Sequence, residues 1–245
     1  MTSKLVFDGD LINYLTTKAL LKNVQKPVCF DIGAFEGVWG ECILLEKPDA
    51  TIYFFEPNPE NFKKLSKNIE NFSKNSKFFQ TAISDVNGEL VFNLHGSDSN
   101  SREYTENSMK VSCKKIDSFF ASINKVDIVK IDTEGHDIHV LKTLLPFAAQ
   151  GRIDAIVTEF TVYWYGSCLE EIMGTVKETL EQYFQIYKYC YALSRNGEPY
   201  LLGPIGTHNL TNFIKYHNMY HIQTDLYFMN VIPEGIKIHN FEIVY

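Results

Sequence analysis

Short apolar runs alternate with amphipathic stretches along the chain, and the alternation predicts the elements in turn. Val28-Cys29-Phe30-Asp31-Ile32 ends at a glycine and reads as a buried strand. The segment after Gly37, to about Glu46, reads as a helix, and Thr51-Ile52-Tyr53-Phe54-Phe55 as a second strand. Asn58 or Pro59 opens a second helix, with Phe62, Leu65 and Ile69 on one face. Lys63, Lys64, Lys67 and Lys74 fall largely off that face and read as solvated surface. Residues 77–83 read as a third strand, and Asp85-Val86-Asn87-Gly88 is a turn signal. Residues 89–94 alternate at period two, as a hairpin arm does. Residues 95–108 are polar and turn-rich, and are expected to form the longest irregular segment.

Val126-Asp127-Ile128-Val129-Lys130-Ile131 reads as a fourth sheet strand. A helix follows, with Ile138, Leu141, Leu144 and Leu145 as its apolar face. Ile153 to Val157 reads as a fifth strand ending at Thr158-Glu159. Residues 169–184 suit a helix, Tyr183 to Leu193 is rich in β formers, and Asp225 to Met229 reads as a late strand. Strand–helix alternation of this kind predicts a doubly wound α/β sheet. Residues 1–26, with Leu11, Leu15 and Leu21, are expected to form a helical cover, and 27–245 a single domain.

Composition narrows the classes. The chain has 245 residues, is 45% hydrophobic and carries a formal charge of −7, enough apolar material for a core without staples. The acidic balance and the lack of a basic block argue against nucleic acid and against an anionic membrane surface as partners. Five scattered cysteines form no C-x-x-C pair, so neither a disulfide framework nor a structural zinc site is expected. The charged start lacks an apolar signal core, and a cytoplasmic protein is the expectation.

Chemistry gathers where strands end, which is where open α/β sheets bind ligands. Asp31-Ile32-Gly33-Ala34-Phe35-Glu36-Gly37 is a strand-to-helix turn spaced G-x-x-x-G and led by an acid. A pyrophosphate-binding turn uses G-x-G-x-x-G and positive potential, so a nicotinamide-dependent oxidoreductase is disfavoured. Glu56-Pro57-Asn58-Pro59 follows the second strand, and an acid some 20 residues after such a turn suits ribose hydroxyls. Lys130-Ile131-Asp132-Thr133-Glu134-Gly135-His136-Asp137 crowds acids, a lysine and a histidine at the end of the fourth strand. Asp132, His136 and Glu134 are candidate bases, and Lys130 shares a face with Asp132. His136 and His139 with Asp132 or Glu134 would need three converging ligands to bind a metal, and none is expected. Glu159, followed by Tyr163 among other aromatics, is the candidate acceptor contact.

The series VCFDIGAFEGVWG, IYFFEPNPENFKKL, AISDVNGEL, VDIVKIDTEGHDIHVLK and IVTEF, from about residue 27 to 160, resembles the FkbM family of S-adenosylmethionine-dependent methyltransferases. The late DLYFMN is similar as well. The resemblance implies a class I methyltransferase (Rossmann-like) sheet of about seven strands with the last antiparallel. It implies S-adenosyl-L-methionine as cofactor, with Asp31, Gly33, Ala34 and Gly37 in its turn and Glu56 with Pro57 at the ribose. Ala82 and Ile83 would flank the adenine, and Asp132, Glu134 and Glu159 would line the acceptor side. A sulfonium is cationic, so an acidic pocket suits it. The implied activity is O-methylation of a glycan or small-molecule acceptor. Phe35 stands where the family usually has Asn, which keeps a degenerate binding protein as the rival.

Overall fold

The computed structural model describes residues 9–95, 98–100, 108–162, 169–194 and 200–241. A first helix, α1 (Gly9–Leu20), leads into β1 (Val28–Ile32), α2 (Val38–Glu46), β2 (Thr51–Phe55) and α3 (Pro59–Asn68). A 3-10 turn over Glu70–Asn75 enters β3 (Ser76–Phe79). Four strands follow: β4 (Ala82–Ile83), β5 (Gly88–His95), β6 (Asp98–Asn100) and β7 (Ser108–Lys114). Then come α4 (Asp117–Phe120), β8 (Val126–Ile131), α5 (Asp137–Ala149), β9 (Ile153–Phe160) and α6 (Leu169–Ile186). The chain continues through β10 (Tyr189–Ser194), β11 (Tyr200–Leu202), α7 (Leu210–Met219), β12 (Thr224–Met229) and β13 (Lys237–His239).

The main sheet runs β13-β11-β10-β12-β9-β8-β1-β2-β3. From β3 to β9 its strands are parallel, and β12 lies antiparallel between β9 and β10. The chain moves outward from β1 through β2 to β3, then returns to place β8 on the other side of β1. That reversal makes the carboxyl ends of β1 and β8 the switch point of the sheet, the place where such sheets take ligands.

Alternation along the strands divides the core in two. Phe30, Ile32, Val129 and Ile131 pack on one face with Leu141, Leu144, Tyr183 and Phe228. Cys29 and Ile128 pack on the other with Trp39, Ile43 and Leu44 of α2. Asp31 and Lys130 therefore share the α2 side, and they are direct register partners between β1 and β8. On that side α1 is pinned by polar contacts: Trp39 Nε1 donates to Thr17 Oγ1 at 3.3 Å, and the Tyr227 hydroxyl donates to Asn13 Oδ1 at 2.6 Å.

Several expectations need correction. The sheet has nine strands because β11 and β13 extend its edge beyond β10. Residues 77–83 are two strands: β3 stays in the main sheet, while β4 pairs with β7 in a second sheet ordered β4-β7-β5-β6. The Thr81 hydroxyl, donating to the Ser112 carbonyl at 3.0 Å, holds the crossover between them. Part of 95–108 is ordered, since β6 pairs with β5 and β7 begins at Ser108; residues 96–97 and 101–107 lie outside the described residues. Tyr183 is helical, because α6 continues to Ile186 and its hydroxyl donates to the Leu141 carbonyl at 2.7 Å. In the first segment Leu21 is buried but Leu15 is exposed, with Tyr14 taking the inward position; the Leu11 side chain lies outside the described residues.

Candidate active site

The turn after β1 is built by unusual backbone angles. Gly33, Phe35 and Gly37 have φ of +77°, +50° and +87°. The amides of Gly33 and Ala34 both donate to the Phe55 carbonyl, at 2.9 and 3.0 Å, which ties the turn to the end of β2. The Asp132 amide donates to the Ile32 carbonyl at 2.9 Å and ties it to β8. A Cβ on Gly33 would lie 1.8 Å from the Asp132 carbonyl oxygen, so only glycine allows the two strand ends to meet this closely. Phe35 is a different matter. Left-handed backbone suits Asn far better than an aromatic residue. Phe35→Asn is expected to stabilise the protein by about 1 kcal/mol, read as a higher denaturation midpoint. An unchanged or lower midpoint would show that the aromatic side chain outweighs the strain.

Glu56 is the joint between the two turns. It is buried, its Oε2 accepts from the Phe35 amide at 2.9 Å, and its Oε1 accepts from the Asn58 amide at 2.8 Å. Asn58 in turn caps α3, accepting from the Glu60 amide at 2.9 Å, with Pro59 in the first turn. Burial pushes the Glu56 carboxyl up to about 7 against the pull of these amides, and Asp31 adds to the push.

At the end of β8 the Lys130 ammonium is buried between two acids, 3.4 Å from Asp132 Oδ2 and 3.9 Å from Asp31 Oδ1. Asp31 is fully buried, whereas the Asp132 side chain keeps 26% of its surface exposed. Asp137 serves the backbone, because its two oxygens accept from the Thr133 and Gly135 amides at 3.0 and 3.1 Å. Those bonds shape the loop in which Glu134 takes φ +55° and Gly135 φ +93°. Burial and then Asp132 push the Asp137 carboxyl up.

His136 meets the segment that follows β4. Its Nε2 lies 3.0 Å from Ser84 Oγ, just beyond β4, where Ala82 and Ile83 are buried. Its ring stacks on His139 at 4.5 Å, and His139 Nδ1 lies 3.2 Å from Asp85 Oδ2. Burial, then the neighbouring His139, pushes the His136 imidazole down to about 4, so it is neutral near pH 7. Among the described residues no group of three His, Cys, Asp or Glu side chains could hold a metal ion. The contacts from Ser84 and Asp85 are not expected from the sequence, although both belong to the AISD segment.

Glu159, near the end of β9, is buried. Burial first, then Asp132, Asp137 and Glu134, hold its carboxyl well above the usual carboxylate range. Its Oε1 accepts from the Thr161 hydroxyl at 3.1 Å and from the Gln223 side-chain amide. Gln223 carries no signal in the sequence. Tyr163, the other expected acceptor contact, lies outside the described residues. The structure thus brings Asp31, Lys130, Asp132, Glu134, Asp137 and Glu159 to one end of the sheet, with Glu56 beside the β1 turn and His136 turned toward β4.

The sheet is Rossmann-like, with acids gathered at the ends of its central strands. Residues 31–191 match the family model described as the methyltransferase FkbM domain, and the chain belongs to that family. It is 30% identical over 139 residues to a protein of Haloferax volcanii named hexuronic acid methyltransferase AglP, covering 55% of each chain. It is 23% identical over 137 residues to the 2-O-methyltransferase NoeI of Sinorhizobium fredii, covering 47% of this chain and 56% of that protein. The chain therefore spans little more than half the length of the curated relatives it matches. Among solved structures, precorrin-6y C5,15-methyltransferase of Geobacter metallireducens aligns over 94% of this chain and 93% of its own, at 12% identity and a TM-score of 0.46. Among the described residues no helix is long and apolar enough to cross a membrane.

Proposed function

We propose that the protein transfers the methyl group of S-adenosylmethionine to a hydroxyl oxygen of a glycan or small-molecule acceptor. Glu56 is the observation that carries this reading. Its two oxygens are fixed by backbone amides at the carboxyl end of β2, beside the β1 turn. A carboxylate offers about four acceptor sites. The two amides and the Asn61 side chain take three, and a ribose diol engages the fourth while sharing the Asn61 contact. The donor set fits the whole group: Asp31 and Asp132 suit a cation, and Ala82 and Ile83 give an apolar wall for a base. The names of the two curated relatives support oxygen, and a sugar, as the acceptor class.

The cofactor supplies a methyl group already activated on a sulfonium. The chain's residues then have to align an acceptor oxygen and take its proton. Asp132 is the base in this reading, being the exposed member of the Asp31–Lys130–Asp132 group. Lys130 orients it, and Asp31, Gly33, Ala34 and Gly37 shape the cofactor turn. Pro57 fixes the approach to Glu56, and Glu134 lines the acceptor side. His136 belongs to the adenine side, because Ser84 holds it there and its imidazole is neutral.

Titration with S-adenosylhomocysteine tests this reading. Glu56→Ala is expected to weaken binding at least about 100-fold, with circular dichroism reporting that the variant folds. The pH dependence has a definite sign. The folded-state carboxyl sits near 7, above its ordinary value, so its contribution to stability is full below about 4.5 and fades as pH rises through 7. Ribose hydroxyls donate to the ionised form. The wild-type thermal shift with S-adenosylhomocysteine is therefore expected to be larger at pH 8 than at pH 6. Absence of binding to the wild type, or wild-type affinity in Glu56→Ala, would overturn the reading.

A further inference from the structure

Among the described residues the two oxygens of Glu159 are held unequally. Its Oε1 is held by Thr161 and Gln223, whereas its Oε2 is buried with no hydrogen-bond partner among the described residues. Glu159 as a whole is only 4% exposed, so water does not readily serve that oxygen. An unmade hydrogen bond at a buried carboxyl costs free energy that a ligand group would recover. The side chain faces the charges of Asp132, Asp137 and Glu134 from the loop between β8 and α5. Asp225, also buried, is its direct cross-strand neighbour in the antiparallel β9–β12 pair. Lys130, the nearby cation, is already shared by Asp31 and Asp132. Among the described residues Glu159 is thus an incompletely bonded group near the proposed base, with several acids and one shared cation around it.

We propose that Glu159 Oε2 is a specificity-determining contact, pairing with a hydroxyl or ammonium group of the acceptor next to the oxygen that is methylated. The acids around it reject acceptors that carry a carboxylate at that position. The acceptor class is then a neutral or amino sugar, not a uronate, which separates this chain from the substrate in the name of its Haloferax relative. Gln223 and Thr161 act as positioning residues, since they fix the other oxygen and so aim Oε2. Two forces set the preference: the hydrogen bond that Oε2 lacks and a hydroxyl or ammonium completes, and repulsion by the surrounding acids that is strong where the site is buried. The inference rests on the O-methyltransferase reading.

Three methyl glycosides serve as probes on protein saturated with S-adenosylhomocysteine: the glucoside, the glucosaminide and the glucuronide. Calorimetric titration at pH 7.5 is expected to show the first two binding at least about 10-fold more tightly than the third. Glu159→Ala is expected to weaken the glucoside by about 10-fold or more. Glu159→Gln places its NH2 at the Oε2 position, since Thr161 and Gln223 both donate to the oxygen, and a hydroxyl can accept from it, so the glucoside stays within about threefold of the wild type. Both variants are expected to keep wild-type affinity for S-adenosylhomocysteine, which reports that they fold. Equal or tighter binding of the glucuronide, no binding of any probe to the loaded protein, or no loss in Glu159→Ala would overturn the inference while the parent reading stands. Failure of S-adenosylhomocysteine to bind overturns both, and the same titration reads it.

Discussion

Gly33→Ala is expected to destabilise the protein by more than about 4 kcal/mol, a large part of the 5–15 kcal/mol that holds a typical domain together. Two costs combine. Left-handed backbone at φ +77° is unfavourable for any L residue by about 1–2 kcal/mol. The larger cost is steric: the new Cβ would stand 1.8 Å from the Asp132 carbonyl oxygen, and that atom is backbone, which cannot rotate aside. The Asp132 amide is bonded to Ile32, so separating the two strand ends breaks the β1–β8 junction at its tip. Gly174→Ala is the control. Gly174 is exposed in α6, a Cβ there meets nothing within 4 Å, and helical propensity favours alanine by about 1 kcal/mol. Denaturant melts should move in opposite directions for the two variants. A Gly33→Ala protein as stable as the wild type would mean that the strand ends do not meet as described.

The junction also shows which parts of the structure can be read from residues alone. β1, β2 and β8 begin and end where their apolar runs do, because a parallel strand buried on both faces needs an unbroken run. The acids at their tips are visible for the same reason: a charge that ends an apolar run has few structural uses. Features that local sequence does not reveal depend on pairing between distant segments. β7 has Met109, Val111 and Cys113 at period two, a pattern that becomes decisive only once β5 lies opposite it. The break between β3 and β4 has no glycine or proline, and it exists because Thr81 reaches Ser112, 31 residues away. By its motif alone His136 is a candidate base, and its contact with Ser84, 52 positions upstream, is not announced by that motif. Gln223 meets Glu159 across 64 residues, a contact that no local motif announces. Spacing within a motif reveals where chemistry is concentrated; the fold decides which atoms are left to perform it.

Asp132→Asn tests that division. The substitution keeps the size of the side chain and the backbone bond to Ile32, so the β1–β8 junction survives it. Lys130 keeps Asp31 as a charged partner, so no buried ammonium is left alone. Binding of S-adenosylhomocysteine is expected to stay within about threefold of the wild type, because Glu56 and the glycine turn hold most of that ligand in the proposed arrangement. Methyl transfer is expected to fall by about 100- to 10,000-fold, the usual contribution of a positioned base. Isotope-labelled methyl incorporation into a bound glycoside measures the loss. Replacing Lys130 by Met should lower transfer less: it frees Asp132 from an ion pair, misaligning the base without removing it, and leaves Asp31 buried beside an apolar chain. If Asp132→Asn turns over near the wild-type rate, the proton goes elsewhere. Glu134, on the loop that follows Asp132, is then the next candidate base. If cofactor binding falls together with turnover, Asp132 serves the cofactor turn and not the acceptor.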